Sequence, residues 1–453
     1  MRILCYSIIY SLIKKSKIRK KIEISLIISK SMELKKGYSR KLDNRFSIHI
    51  ADNTAEELNA ILKFNNQLHN GEEIVEYIQS FLLKYPRKNE IYWLYIKDNK
   101  TGNIVSSLCL SPMEWQFENI ELPVCEMEFV GTLEAYRERG FIKILNILYE
   151  EIMERNGYLM SVIRGIPSFY RSLGYVYISS LDERISISTF KIHNKDDTLK
   201  IRKAKSDDIS FIESKYSEFH KKFSLFSKFN GKCFAFKYLN DEFTSEVRST
   251  YILEERGVAK NYFSLGWTYD NKYYEIICPD LSNREMTVLL EYVMKLGNYH
   301  DNDEIIISVN KNNSLFRYIR SLGGKLVSEY GWQVKIPNIK KYFSFTKKVI
   351  ESKLKNTEFN ELTQSIRISN YKETFKLEFN KGKVKQIERI VEHPDLELTD
   401  LRIHGAFLYK FLLGDKSIDE INFIMKDAII NLSSRKLIET IFPTSLSLLG
   451  SYI

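Results

Sequence analysis

A chain of 453 residues is longer than one hydrophobic core sustains, so about three domains are expected. Hydrophobic residues at 44% and aromatic residues at 13% describe a soluble, globular protein, and no transmembrane segment is expected. The net charge of +10 suggests nucleic acid until it is located: residues 1–41 hold 12 Lys/Arg against 2 Asp/Glu, and residues 42–453 hold 56 of each sign. A neutral body excludes the basic face that nucleic-acid binding needs.

The opening segment, MRILCYSIIYSLIKKSKIRKK, runs eleven residues without a charge from Ile3 to Ile13 and then turns basic. That is too short to span a bilayer and lacks a small-residue cleavage site. It reads as a membrane-surface anchor or as residues upstream of a true start at Met32, and residues 1–41 are expected to form a leader outside the fold.

From residue 42 the pattern is α/β. FSIHIA reads as a strand, TAEELNAILKFNNQL as a helix, EIYWLYIKD and NIVSSLCLS as paired strands around Lys100-Thr101-Gly102, and CEMEFVGT as another strand. A helix follows Gly140, with apolar residues at Phe141, Ile144, Leu145, Leu148 and Ile152 and a stop at Gly157. YLMSVIRG is a strand, followed by PSFYRSLGYVYIS.

The next segment repeats this order. LKIRKAKSDDISFIESKYSEF, from Leu199, matches the strand and helix of FSIHIADNTAEELNAILKFNNQL, and EIIISVNKNNSLFRYIRSLGG matches YLMSVIRGIPSFYRSLGY. Where the first copy has YRERGFI the second has LSNREMT without a glycine, and opposite Tyr170 it has Ile319. Trp332, in EYGWQVKIP, reads as core at a domain junction.

From residue 346 the strands QSIRISN, ETFKLEFN and KVKQIERIV, with a turn at Asn380-Lys381-Gly382, precede two helices, LRIHGAFLYKFLLG and SIDEINFIMKDAIINL, and a tail, IFPTSLSLLGSYI. The expected domains are therefore 42–195, 196–345 as its degenerate copy, and a small α+β domain over 346–453.

Five cysteines (Cys5, Cys109, Cys125, Cys233, Cys278), an odd number without a CxxC pair, suggest neither a disulfide framework nor a zinc site, and a reducing cytoplasm fits them. The seven histidines are scattered without ligand spacing, so no metal is expected.

The stretch TLEAYRERGFIKILN, residues 132–146, carries the chemistry. Backbone N–H groups point out of a helix's first turn, the helix dipole favours an anion there, and a glycine admits close approach. Arg137 and Arg139 would add screening charge. Taken alone, the segment is equally a charged helix start.

VGTLEAYRERGFIK resembles the acyl-CoA loop of the GNAT superfamily of N-acyltransferases, Gln/Arg-x-x-Gly-x-Gly/Ala after a strand, with Ile142 at the last place of that pattern. GIPSFYRSLGY is similar to the second motif of that superfamily, a Tyr before a Gly turn. With the repeat and the FP…Y tail, residues 40–453 resemble the tandem-GNAT "enhanced intracellular survival" (Eis) type, which adds a sterol-carrier-like C-terminal domain.

The resemblance implies that Val130, Gly131 and Thr132 bind the pantetheine arm of acetyl-CoA, that the amides of Glu138, Arg139, Gly140, Phe141, Ile142 and Lys143 hold its pyrophosphate, and that Gly165 and Ile166 lie near the cofactor. It assigns Tyr170 as general acid and gives the base to the terminal carboxylate of Ile453. Glu126 and Glu128, on one face of CEMEFV, are the alternative base. The implied function is an acetyl-CoA-dependent N-acetyltransferase acting on a primary amine, a polyamine-like molecule or a lysine side chain, in a cytoplasmic homo-oligomer. The rival expectations are a catalytically idle acyl-CoA-binding or scaffold protein, and a lipid-binding protein.

Overall fold

The computed structural model describes residues 34–69, 72–166, 168–193, 198–239, 248–268, 273–300, 302–390 and 398–449. The reading of residues 1–31 and the role given to Ile453 fall outside the described residues. The fold is mixed α/β, in two compact units. The first comprises Met1–Leu82, Asn89–Ser111 and Cys125–Tyr158, and the second Leu83–Lys88, Pro112–Val124 and Leu159–Ile453.

In chain order the first copy of the repeat gives β1 (Ser39–Lys41), β2 (Phe46–Ile50), α1 (Ala55–His69), α2 (Glu72–Leu83), β3 (Tyr92–Asp98), β4 (Ile104–Phe117), β5 (Ile120–Thr132), α3 (Phe141–Arg155), β6 (Met160–Ile163) and β7 (Val176–Ser188). In the first unit β1, β2, β3 and β4 pair antiparallel in sequence, with Ser39 opposite His49, Phe46 opposite Asp98 and Tyr92 opposite Leu110. β1 lies inside the segment that charge alone assigns to a leader, and Leu34 and Tyr38 are buried. Arg40 and Lys41 there are the charges of an edge strand, which discourage pairing with another chain.

α3 buries Phe141, Leu145, Leu148, Tyr149, Ile152 and Met153, one stripe at helical spacing. Each such side chain contributes about 1.5–3 kcal/mol when removed from water. Its end is a turn with Gly157 at φ 81°, the left-handed conformation that closes helices.

The second copy gives β8 (Leu199–Lys203), α4 (Ile209–His220), β9 (Leu225–Ser227), α5 (Gly231–Tyr238), β10 (Arg248–Glu255), β11 (Val258–Thr268), β12 (Tyr273–Ile277), α6 (Asn283–Leu296), β13 (Glu304–Val309), α7 (Ser314–Ser321) and β14 (Lys325–Lys335). Within the second unit the strand order is β6-β14-β7-β13-β12-β11-β10-β8. Strands from residues 42–195 and 196–345 therefore interleave: β14 lies between β6 and β7, and β7 lies between β14 and β13, all antiparallel.

The remaining chain forms α8 (Ile339–Leu354), β15 (Ser365–Ser369), β16 (Thr374–Asn380), β17 (Lys383–Ile390), β18 (Leu401–Arg402), α9 (Gly405–Leu412), α10 (Ile418–Ile424), β19 (Ile429–Ile430), α11 (Arg435–Ile441) and β20 (Ser447–Leu448). Its own sheet has the order β17-β16-β15-β18-β19. Lys381 and Gly382 both have positive φ in the two-residue turn between β16 and β17, as a type I′ hairpin requires.

The helix expected over SIDEINFIMKDAIINL is cut short. Ser417 and Glu420 cap its start reciprocally, Met425 is extended, and Ile430 and Ile429 pair with Leu401 and Arg402. Two β-branched residues opposite a ready strand edge override the helical periodicity. Within the same second unit, β20 of the tail pairs in parallel with β9, and β9 pairs with residues 115–117 of β4.

Candidate active site

The loop between β5 and α3 belongs to the first unit. Phe129 has φ 48°, a left-handed kink in β5 just before Val130, Gly131 and Thr132. Its ring stacks on Trp93 at 5.4 Å and packs on Phe81 at 5.4 Å, which holds the kink in place. Gly131 has no room for a side chain, because a Cβ there would come within 1.9 Å of Leu68 Cδ2 on α1. On the β4 side the Ser106 hydroxyl lies 3.1 Å from the Gly131 carbonyl and 2.8 Å from Thr132 Oγ1, and the Leu133 N–H donates to the Val105 carbonyl.

One 3-10 turn, Glu134–Tyr136, leads to the exposed residues Arg137, Glu138, Arg139 and Gly140. Glu138 and Gly140 are left-handed, with φ 66° and 76°. Gly140 caps α3 without any side-chain hydrogen bond, and a Cβ on it would meet nothing within 4 Å. The glycine is demanded by its conformation, and the space before the helix is open. The N–H groups of Phe141, Ile142 and Lys143 stand in the first turn, where no carbonyl of the helix lies ahead of them.

Asp98, at the end of β3, fixes this loop. Its buried carboxylate accepts from Arg45 Nε at 3.0 Å and Nη2 at 2.7 Å, from the Tyr136 hydroxyl at 3.0 Å and from the Lys100 N–H at 3.0 Å. The Arg45 guanidinium, with the Lys100 amide and the Tyr136 hydroxyl, holds the carboxyl at about 2, below its ordinary 3.8. The guanidinium groups of Arg45 and Arg139 both lie over the Phe46 and Tyr136 rings, at 5.1–5.9 Å. Arg139 is therefore positioned by aromatic faces beside the open helix start. The sequence reasoning missed Asp98 and Tyr136, whose only signal was a Tyr inside the loop motif.

Glu126 is buried on β5. Burial first, and then the charges of Glu128 and Glu126, push the Cys109 thiol on β4 well above its ordinary value, so both carboxylates lie near it.

Gly165, Ile166 and Tyr170 belong to the second unit. Tyr170 opens a 3-10 turn, Tyr170–Leu173, that ends at Gly174 with φ 93°. Its ring rests on Gly165: a Cβ there would come within 1.9 Å of Tyr170 Cε2. Phe169 and Tyr175 meet the ring edge-on, at 4.9 and 6.1 Å. Burial pushes the hydroxyl up to about 12, so Tyr170 carries its proton throughout the neutral range. Ile166 is 67% exposed.

Trp332 is fully buried, meets Trp115 edge-on at 5.7 Å, and donates from Nε1 to the Leu449 carbonyl at 3.0 Å. The four described cysteines are buried thiols outside any disulfide, and among the described residues no cluster of three His, Cys, Asp or Glu could hold a metal. No helix of the described residues is long and apolar enough to cross a membrane.

Residues 49–178 match the family profile described as "Acetyltransferase (GNAT) domain". No curated protein matches the sequence. Crystal structures share the fold at low identity. A GCN5-related N-acetyltransferase from Anabaena variabilis is 14% identical with a TM-score of 0.63, covering 90% of this chain and 99% of its own. A conserved protein of unknown function from Enterococcus faecalis, described as a probable N-acyltransferase, is 12% identical with a TM-score of 0.65, covering 92% and 100%. Eis1 from Mycobacterium abscessus is 10% identical with a TM-score of 0.56, covering 89% and 99%. Residues 49–178 are thus similar to a GNAT acetyltransferase domain, and the chain shares the fold of these crystal structures across about nine-tenths of its length.

Proposed function

We propose that this protein is an acetyl-CoA-dependent N-acetyltransferase that acylates a primary amine, of the tandem-GNAT Eis-like type. Its catalytic domain spans residues 42–195, its degenerate copy 196–345 and its sterol-carrier-like domain 346–453, in a cytoplasmic homo-oligomer. The observation that carries this reading is the uncapped start of α3 behind Gly140, with Arg139 held beside it. Uncapped amides at the positive end of a helix dipole fit a pyrophosphate. The amides of residues 138–143 would hold that group, Arg137 and Arg139 would screen it, and Val130, Gly131 and Thr132 would bind the pantetheine arm, with Gly165 and Ile166 near it.

Acetyl-CoA supplies the activated acyl group as a thioester. An alkylammonium of pKa ~10.4 must first lose a proton, and a base in reach accepts it. The resemblance to the Eis type gives this role to the terminal carboxylate of Ile453, with Glu126 and Glu128 on β5 as the alternative. Tyr170 donates a hydrogen bond to the departing sulfur.

Thiol release from acetyl-CoA, followed against a panel of polyamines, aminoglycoside-like amines and lysine peptides, tests the activity. Amine-dependent release is expected; binding of acetyl-CoA without release makes the protein an idle acyl-CoA binder. Deleting residues 451–453 separates the bases: full activity in the shortened chain moves the role to Glu126 or Glu128.

A further inference from the structure

Gln333 lies on β14, in the copy that lacks a loop glycine and a Tyr, and is 2% exposed. Its Nε2 donates to the Gly165 carbonyl at 2.8 Å and lies 3.4 Å from the Tyr330 hydroxyl. Its backbone stands opposite Ile163, the last residue of β6, so the side chain reaches past the strand end to a carbonyl two residues further on. The register of β14 against β7 shifts between Trp332 and Gln333, where the strand is free to turn this side chain toward β6.

Gly165 is the floor under Tyr170. With the ring in contact with the Gly165 backbone, the direction of the peptide after residue 165 sets where the phenol stands. The turn's own hydrogen bonds are Ser172 N–H to the Phe169 carbonyl, Gly174 N–H to Arg171 and Tyr175 N–H to Tyr170, and from β14 Lys335 Nζ donates to the Leu173 carbonyl at its end, at 2.6 Å. They shape the turn and leave its floor to an outside donor. A buried carbonyl requires such a partner, and the Gln333 amide is one that no apolar residue of equal size replaces.

We infer that Gln333, from the second copy, is a positioning residue for Tyr170 in the first. The inference rests on the reading of Tyr170 as the acid of an acyl transfer. The silent copy then serves the active one directly, by orienting its proton donor.

The test is a double-mutant cycle on the full chain, with kcat and KM for acetyl-CoA measured against the best amine of the panel. Gln333→Met keeps the bulk and removes the donor; it is expected to lower kcat on the order of tenfold, with a smaller change in KM. In a Tyr170→Phe background the same substitution is expected to leave kcat unchanged, since there is no proton donor left to orient. An equal loss in both backgrounds, or none in either, overturns the inference while Tyr170 keeps its role. A Tyr170→Phe protein as fast as wild type overturns the acid reading, and the inference with it. Should Gln333→Met not fold, Gln333→Glu replaces it: its carboxyl donates only when protonated, so kcat gains a limb that falls with rising pH. A profile parallel to wild type overturns the inference.

Discussion

The start of α3 and the start of α6 occupy the same place in the two copies of the repeat and treat their exposed amides in opposite ways. At α6, Ser282 Oγ accepts from the Glu285 N–H, and Glu285 Oε2 accepts from the Ser282 N–H at 2.7 Å. Arg284 beside it is committed to Glu255. That reciprocal box satisfies the helix start from within. At α3 a left-handed glycine stands where the serine would be and Lys143 where the glutamate would be, so the amides remain available to a ligand. One helix start is closed by its own side chains and the other is left open. A stable helix and a phosphate site make competing demands on the same four amides.

The largest effect is expected at Tyr170, opposite which the repeated sequence carries Ile319. Tyr170→Phe should lower kcat by about 100-fold, the ordinary share of a general acid, with little change in the acetyl-CoA dissociation constant measured by calorimetry. Next is the transplant of the closed start: Gly140→Ser with Lys143→Glu places a capping box and a carboxylate at the mouth of α3. Acetyl-CoA affinity should fall about tenfold, and unchanged affinity would break the contrast.

Asp98→Asn loosens the Arg45 and Tyr136 tether and should raise the acetyl-CoA KM roughly threefold at nearly constant kcat. The same pair of proteins has a pH signature. The Asp98 carboxyl is lowered from 3.8 to about 2 by Arg45, so its contribution to stability is whole above pH 4 and disappears as the pH falls through 2. Acid titration of the two proteins should show their stability difference closing across that window. The smallest effect belongs to α6: Ser282→Ala with Glu285→Ala should cost about 1 kcal/mol in denaturant unfolding and leave kcat/KM unaltered. A drop in turnover there would mean that the second helix start also serves catalysis.

The helix starts were legible because their chemistry is local. Gly140, Gly157 and the Lys381-Gly382 turn announce themselves by a conformation that few other residues adopt. The capping box at Ser282 and Glu285 is likewise written in adjacent positions, although only the loss of the glycine was read there. Strand order was not legible, because a strand's neighbours leave no period in its own sequence. Nothing in EYGWQVK says that it lies between β6 and β7, and so Gln333 could not be linked to Gly165. β1 was hidden by its edge-strand charges, which composition alone assigns to a leader. At α10 the periodicity was helical, and the edge of β18 took Ile429 and Ile430 instead.

The order β6-β14-β7-β13 bears on how the chain can assemble. β7 ends the first copy, yet both strands beside it, β13 and β14, come from the second. A fragment stopped after β7 would leave that strand without either neighbour, and ribosomal synthesis must pass residue 335 before the ladders can close. Residues 304–335 therefore cannot be cut away without baring both edges of β7, so they are indispensable to the ladder whatever chemistry they lack.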